Sequence, residues 1–377
     1  MVRHLHPDPK VQRMLDWGGD GRDKVCSAGR SGYTVAVNGD YTSCGPMAYE
    51  GPIGNVLEDG VFAQFPREQL LCPVFPPDHP ERFPSPVPEV SCWCWENTVM
   101  PLEPAAPNAE IERYWEEHAV DKEVFVQWEM SRLCNFSCNY CSVDPKTFAN
   151  RQSKAPAAKS FLEAPELLRI ADILLSQFER VRLRITGPME PLTNPGIVDL
   201  FERLAKSQER ISKIVFMTNF SLHDKMKRIL EMGWGKKLRV IVSMHFLDDR
   251  FDPFKIAELY KFGQQHHVEM DSHVVPSPDM RRFWRPYLEF FGLNGVRIRT
   301  VPYIAERSNG QSTVKYERPP GWQPTHYDAV SRAVAQAKEH AKETSADTRA
   351  LDKPLNMNAP VEEYYELGTH GALKNNV

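Results

Sequence analysis

The chain has no cysteine after residue 141, no run of eighteen or more apolar residues and no surplus of basic charge. Each absence excludes something. Without a long apolar run there is no transmembrane helix to place. With 46 Lys and Arg against 50 Asp and Glu, a net charge of −4 offers no electrostatic footprint for nucleic acid. The opening MVRHLHPDPK lacks the apolar core of a secretion signal, so a cytoplasmic, reducing setting is expected. There, clustered cysteines point to metal or cluster ligation rather than to disulfides, which in extracellular scaffolds are spread along short chains.

What is present divides by texture. Residues 26–94 carry glycine, proline, aromatics and Cys26, Cys44, Cys72, Cys92 and Cys94. GYTVAVNGDYTSC reads as a hairpin: Tyr33, Val35 and Val37 alternate, Asn38-Gly39 supplies the turn, and Tyr41–Cys44 returns. CPVFPPDHPERFPSPVP has too many prolines for a helix or central strand and reads as an extended connector.

From about residue 122 short apolar runs alternate with amphipathic helices. EVFVQWEM, RVRLRIT, KIVFMTN, LRVIVSM, HVEMDSHVV and GVRIRTVPY are the expected strands. Between them, Leu167, Leu168, Ile170, Ala171, Leu174, Leu175 and Phe178 share one helical stripe. NPGIVDLFERLAK and SLHDKMKRILEMGW behave alike, the second with Ser221 as the expected N-cap. Six β–α units in succession imply a parallel sheet, because only a crossover returns a chain parallel. Closed into an arc, this is an α/β partial barrel of the (β/α)6, TIM type, with ligands at the C-terminal ends of its strands. The expected organisation is a small cysteine-rich α+β domain over residues 1–100, a linker over 101–121, the barrel over 122–305 and a helical extension and tail over 306–377.

The sharpest motif follows the first barrel strand. WEMSRLCNFSCNYCSVDP spaces Cys134, Cys138 and Cys141 as C-x3-C-x2-C. Three thiolates in one loop hold three irons of a cubane and leave the fourth open to another molecule. A structural zinc loop is the alternative, but zinc sites usually present paired C-x2-C elements and no partner pair exists.

With Tyr140 in the aromatic place before the third cysteine, residues 122–305 resemble the radical S-adenosylmethionine (SAM) superfamily. The resemblance implies a [4Fe–4S] cluster on Cys134, Cys138 and Cys141 that chelates SAM. It also implies reductive cleavage of SAM to a 5′-deoxyadenosyl radical that removes a substrate hydrogen. Tyr140 would lie near the SAM adenine. Gly187-Pro188-Met189-Glu190-Pro191 takes the place of the family's Gly-Gly-Glu-Pro turn, with Gly187 lending backbone and Glu190 pairing with the SAM ammonium. Asn219 and Ser243, at the ends of the third and fourth strands, would also contact SAM. His245 is expected to point elsewhere if the strand persists that far. Asp271 with His273, and Arg297 with Arg299, share faces that could line the substrate cavity or simply face the outer helices. Tyr303, His245 and His273 are the candidates for catalysis.

Cys26 and Cys44, set about Gly39 and followed by Gly51-Pro52-Ile53-Gly54-Asn55-Val56, resemble the opening of a SPASM or twitch domain, here placed before the barrel. The hairpin would bring Cys26 and Cys44 together at its base. Cys72, Cys92 and Cys94 compete to complete one auxiliary [4Fe–4S] site, with a zinc-bound module as the alternative. The resemblance implies oxidation, such as a crosslink or dehydrogenation, of a peptide or amino-acid-derived substrate. The reductant would be a flavodoxin or ferredoxin, with no nucleic acid or membrane partner. The alternatives are a small-molecule dehydrogenase, mutase or epimerase acting on a sugar or natural product, and an inactive binding scaffold.

Overall fold

A computed structural model describes residues 32–42, 52–63, 123–138, 140–141, 160–187, 189–275, 277–296, 298–300, 318 and 321–343. Cys26, Cys44, Cys72, Cys92, Cys94, Arg297, Tyr303 and the proline-rich connector lie outside the described residues, and with them the expected auxiliary site. The chain forms two compact units. The first comprises Met1–Met130, Ser153–Thr186 and Asp199–Ile214; the second comprises Ser131–Gln152, Gly187–Val198 and Val215–Val377.

In the first unit the expected hairpin forms. Strands β1 (Gly32–Val35) and β2 (Asp40–Thr42) pair antiparallel, with Thr34 opposite Thr42 and Val35 opposite Tyr41. Gly39 turns the chain at φ 88°, a conformation a side chain would strain. Asn55, in β3 (Gly54–Asn55), donates to the Asn38 carbonyl and to Asp40, and its own oxygen caps the short helix α1 (Val56–Asp59) through Leu57 N–H. β1 also runs parallel to β4 (Glu123–Glu129), placing Gly32 opposite Phe125 and Val35 opposite Trp128. β4 continues in register with β5 (Arg180–Thr186), so the order is β3-β2-β1-β4-β5.

The hairpin therefore extends the β4 sheet instead of forming a sheet of its own. Its burial explains why. Tyr33, Thr34 and Val35 are all buried, so both faces of β1 are covered, where alternation alone implied one wet face. Tyr33, Tyr41 and Phe178 ring Phe62 at centroid distances of 5.1, 5.2 and 6.3 Å. Gln177 brackets the Phe62 backbone, accepting from its N–H (2.9 Å) and donating to its carbonyl (2.8 Å). Gln177 ends α2 (Ala164–Gln177), whose stripe buries Leu167, Ile170, Ala171, Leu174 and Leu175. Each buried Leu or Ile side chain contributes roughly 1.5–3 kcal/mol. Leu168 sits at the stripe's edge and is only half-buried, while Phe178 packs just past the helix end.

Helix α3 (Ile197–Ala205) and strand β6 (Ile211–Thr218) follow, the end of β6 belonging to the second unit. The second unit continues with α4 (His223–Glu231), β7 (Leu238–Met244), α5 (Pro253–Gln265), β8 (Glu269–Val274), α6 (Pro278–Arg281), α7 (Trp284–Leu293), β9 (Ile298–Thr300) and α8 (Tyr327–Glu343). β7, β8 and β9 are parallel neighbours in that order. Asp252 caps α5, accepting from Phe254 N–H and Lys255 N–H, and Pro253 suits its first turn. Phe246 stacks on Tyr287 at 4.7 Å and, with Phe251 and Phe291, fills the core. The chain is thus α/β with parallel strands, as the β–α alternation implies.

Two local expectations change. Leu222, not Ser221, precedes α4, and no side chain caps that helix; the Ser221 hydroxyl is spent within the preceding turn. Asp271 is buried and committed to ion pairs with Arg239 (2.6 Å) and Arg299 (3.5 Å), while His273 lies in register with Ser243. Neither face question could be answered by period-two spacing, because a partner cation decides where a carboxylate may be buried.

Candidate functional site

Within the second unit, four segments that follow strands supply the polar side chains. Residues 131–141 follow β4, residues 187–194 follow β5, residues 218–221 close β6, and residues 243–250 close β7.

The loop after β4 is pinned before it reaches its cysteines. Ser131, fully buried, accepts from Leu133 N–H (2.9 Å) and shares a 2.7 Å hydrogen bond with Thr193. The Leu133 carbonyl accepts from Glu190 N–H (3.0 Å), which ties this loop to the one after β5. Gly187 is required there by close approach, since a Cβ would sit 2.9 Å from the Met189 carbonyl oxygen and 3.2 Å from that of Ser131.

Glu190 is buried and both its oxygens are occupied. Oε1 accepts from Thr218 Oγ1 (2.6 Å) and Leu192 N–H (3.0 Å), and Oε2 accepts from Asn219 N–H (2.6 Å). Desolvation raises its pKa to about 7, although those three donors and the Lys225 charge pull the other way. Lys225, itself lowered by desolvation, donates to the Leu192 and Asn194 carbonyls. The Glu190 carboxylate clamps the end of β6.

What that clamp holds is strained. Phe220 has φ 62°, unusual for a bulky residue, with its N–H on Thr218 Oγ1. The turn aims Asn219, whose amide donates to Asn135 Oδ1 (3.1 Å) and lies 3.9 Å from Cys134 Sγ. Asn135 in turn donates to Ser221 Oγ (2.7 Å), which donates back to Asn219, closing a ring of hydrogen bonds. Strain maintained by surrounding structure is a mark of functional sites.

The segment after β7 completes the arrangement. The strand ends at Met244, and His245, just past it, turns toward the cysteine loop. His245 Nδ1 lies 3.2 Å from Cys138 Sγ and 2.9 Å from Tyr140 Oη, and its ring stacks on Tyr140 and meets Phe136 edge-on. The residue keeps some exposure, but this enclosed edge is desolvated, which lowers its pKa to about 4 and keeps the imidazole neutral. Asp248 accepts from Ser137 N–H (2.7 Å) and pairs with Arg250. Burial would raise its pKa, but these hydrogen bonds outweigh it and the carboxyl stays below its usual range. Asp248, Arg250 and Asn135 were not foreseen. An Asp-x-Arg after a strand carries no motif, and only the fold shows that it secures Ser137. Ser243 is half-buried at the end of β7.

The three thiols are free. Desolvation, then nearby Glu190, Cys141 and Asp248, pushes Cys134 up to about 11, and desolvation raises Cys138 further. Such thiols stay protonated until a cation draws them into the thiolate form, which is what metal binding does. Among the described residues no three His, Cys, Asp or Glu side chains converge as one metal ion would require. A cubane asks for less convergence, since each thiolate meets a different iron. The donor set of three thiols, with Asn219 and His245 beside two of the sulfurs, fits that group.

Residues 128–268 match the Radical SAM superfamily. GTP 3',8-cyclase of Pseudomonas savastanoi pv. phaseolicola is 28% identical over 144 residues, covering 38% of this chain and 39% of the relative. GTP 3',8-cyclase 1 of Pseudomonas aeruginosa is 26% identical over 158 residues, covering 42% and 43%. The alignments thus span about two fifths of the length of these curated relatives. Among solved structures, native anSMEcpe with bound AdoMet aligns with TM-score 0.36 and 15% identity over 59% of this chain and 62% of that one. Streptococcus suis SuiB aligns with TM-score 0.37 and 15% identity over 65% and 55%. The superfamily that residues 128–268 match is one that implies a [4Fe–4S] cluster and SAM. Among the described residues no helix is long and apolar enough to cross a membrane.

Proposed function

We propose that this chain cleaves SAM reductively at a [4Fe–4S] cluster held by Cys134, Cys138 and Cys141. The observation that carries the reading is the loop of three free thiols after β4, with the end of β7 brought onto Cys138 through His245 and the clamped end of β6 beside Cys134. When bound, the cluster and SAM supply one-electron cleavage to a 5′-deoxyadenosyl radical able to remove a substrate hydrogen. The chain's own work is placement. Gly187 lets backbone approach closely, Tyr140 offers an aromatic face, and Asn219 and Ser243 present polar groups at strand ends. Glu190 acts through Asn219 by holding the turn that aims its amide. Anaerobic reconstitution with iron and sulfide, then SAM and dithionite, yields 5′-deoxyadenosine on this reading; its absence from a cluster-loaded protein sinks it.

The strands close into a partial barrel, and the net reaction is oxidation of a peptide or amino-acid-derived substrate. Cys26, Cys44, Cys72, Cys92 and Cys94 are the residues that would hold an auxiliary [4Fe–4S] cluster, which would supply an electron acceptor, and a flavodoxin or ferredoxin would supply the reducing electron. About eight irons per chain fits two cubanes; about four irons with one zinc rejects the auxiliary cluster. A second reading, radical chemistry on a small molecule, is favoured by relatives named GTP 3',8-cyclase. Deuterium transfer from labelled substrate into 5′-deoxyadenosine, run with nucleotide and peptide panels, separates the two. His273 and Tyr303 are the candidates for handling the substrate's proton or hydrogen.

A further inference from the structure

His245 makes a contact that the SAM-cleaving reading does not require. It comes from the end of β7, yet one ring nitrogen reaches both the Cys138 sulfur, at 3.2 Å, and the Tyr140 hydroxyl, at 2.9 Å. Tyr140 and Phe136 flank the ring, stacked and edge-on, so its orientation is fixed by packing.

We propose that His245 is a positioning residue that donates its Nδ1 proton to the Cys138 sulfur and thereby raises the reduction potential of the cluster this cysteine holds. The inference rests on the cysteine assignment made above.

The donor direction follows from the partner. A neutral imidazole carries one proton, on Nδ1 or on Nε2. A ligating cysteine is a thiolate, which only accepts. Were Nδ1 the bare nitrogen, its lone pair would face the sulfur's negative charge at 3.2 Å. With the proton on Nδ1 the same contact is a charge-assisted hydrogen bond, and the Tyr140 oxygen at 2.9 Å becomes a second acceptor for that N–H. Hydrogen bonds to cluster sulfur stabilise the more negative, reduced state, so they raise the potential. Outer partners that orient ligands and tune a metal centre commonly act this way.

The test compares reconstituted wild type with H245F, H245N and H245Q, reading iron content and the midpoint potential by redox titration followed by electron paramagnetic resonance. Asn can offer an N–H near the Nδ1 position; Gln offers one near Nε2; Phe keeps the ring and offers none. Expected are equal iron loading, a more negative potential for H245F and H245Q, and a return toward wild type for H245N. An unchanged potential in fully loaded H245F overturns the inference. If H245F fails to load, the decision passes to the amides: Asn above Gln supports it, and equal potentials overturn it. Loss of loading in all three variants also overturns it, leaving His245 a residue needed for assembly alone. Wild type that takes up no cluster defeats the cysteine assignment instead, a result visible before any variant is made.

Discussion

The first unit's aromatic nest and the second unit's strand ends are both buried, but they are built on opposite terms. Around Phe62, stability comes chiefly from ring area, with Gln177 satisfying the Phe62 backbone and the Tyr33 and Tyr41 hydroxyls that of Ala63. Around Glu190 almost every contact is polar, and each partner holds one specific neighbour: Thr218, Leu192 and Asn219 on the carboxylate, then Asn135 and Ser221 beyond. Apolar packing is non-directional, so it yields gradually to substitution. A buried polar ring fails when one member is lost, because a donor is left unsatisfied. The nest can only be made more or less stable, while the polar ends can be stable and still aim a side chain wrongly.

The largest effect should separate stability from chemistry completely. C138A is expected to keep its fold by circular dichroism while losing cluster uptake and 5′-deoxyadenosine production; retained SAM cleavage would break the contrast at its strongest point. Next, F62A should cost about 3–5 kcal/mol in urea unfolding through the cavity it leaves. Cluster loading of the folded fraction should be unchanged, and a loss confined to loading would show that the nest serves the site.

A pH experiment probes the polar region. Glu190 has its folded pKa raised from 4.5 to about 7, so its contribution is full below about pH 4.5 and is lost as pH rises toward 7. The stability of wild type relative to E190Q should therefore fall by about 3 kcal/mol between pH 4.5 and 7.5 and level off above. A flat difference would mean that the Thr218, Leu192 and Asn219 donors fully offset the desolvation. The smallest effect belongs to R250A. Arg250 is about half exposed, so losing its pair with Asp248 should cost only about 1 kcal/mol in unfolding. Its mark should be faster proteolysis at Ser137 if the ion pair secures that loop.

The cysteine spacing could be read from residues alone because three thiols within eight positions are a local feature. So could the α2 stripe and the hairpin about Asn38-Gly39, whose periodicity and turn chemistry act over a few residues. Ser221 failed as a cap because its hydroxyl oxygen accepts from the Asn135 amide while its proton goes to Asn219. Glu190 was recognisable as a motif residue, but not as one enclosed with both oxygens occupied.

The sequence by itself determined the elements, their parallel alternation and the spacing of Cys134, Cys138 and Cys141, since periodicity, turn residues and cysteine spacing are properties of neighbours along the chain. Only the tertiary structure decided that β1 joins β4, that Glu190 clamps Asn219 across a strained Phe220, and that His245 meets Cys138. Those outcomes join positions 29 to 107 residues apart. There, burial and competition among polar partners choose the neighbour, and no local pattern records which one wins.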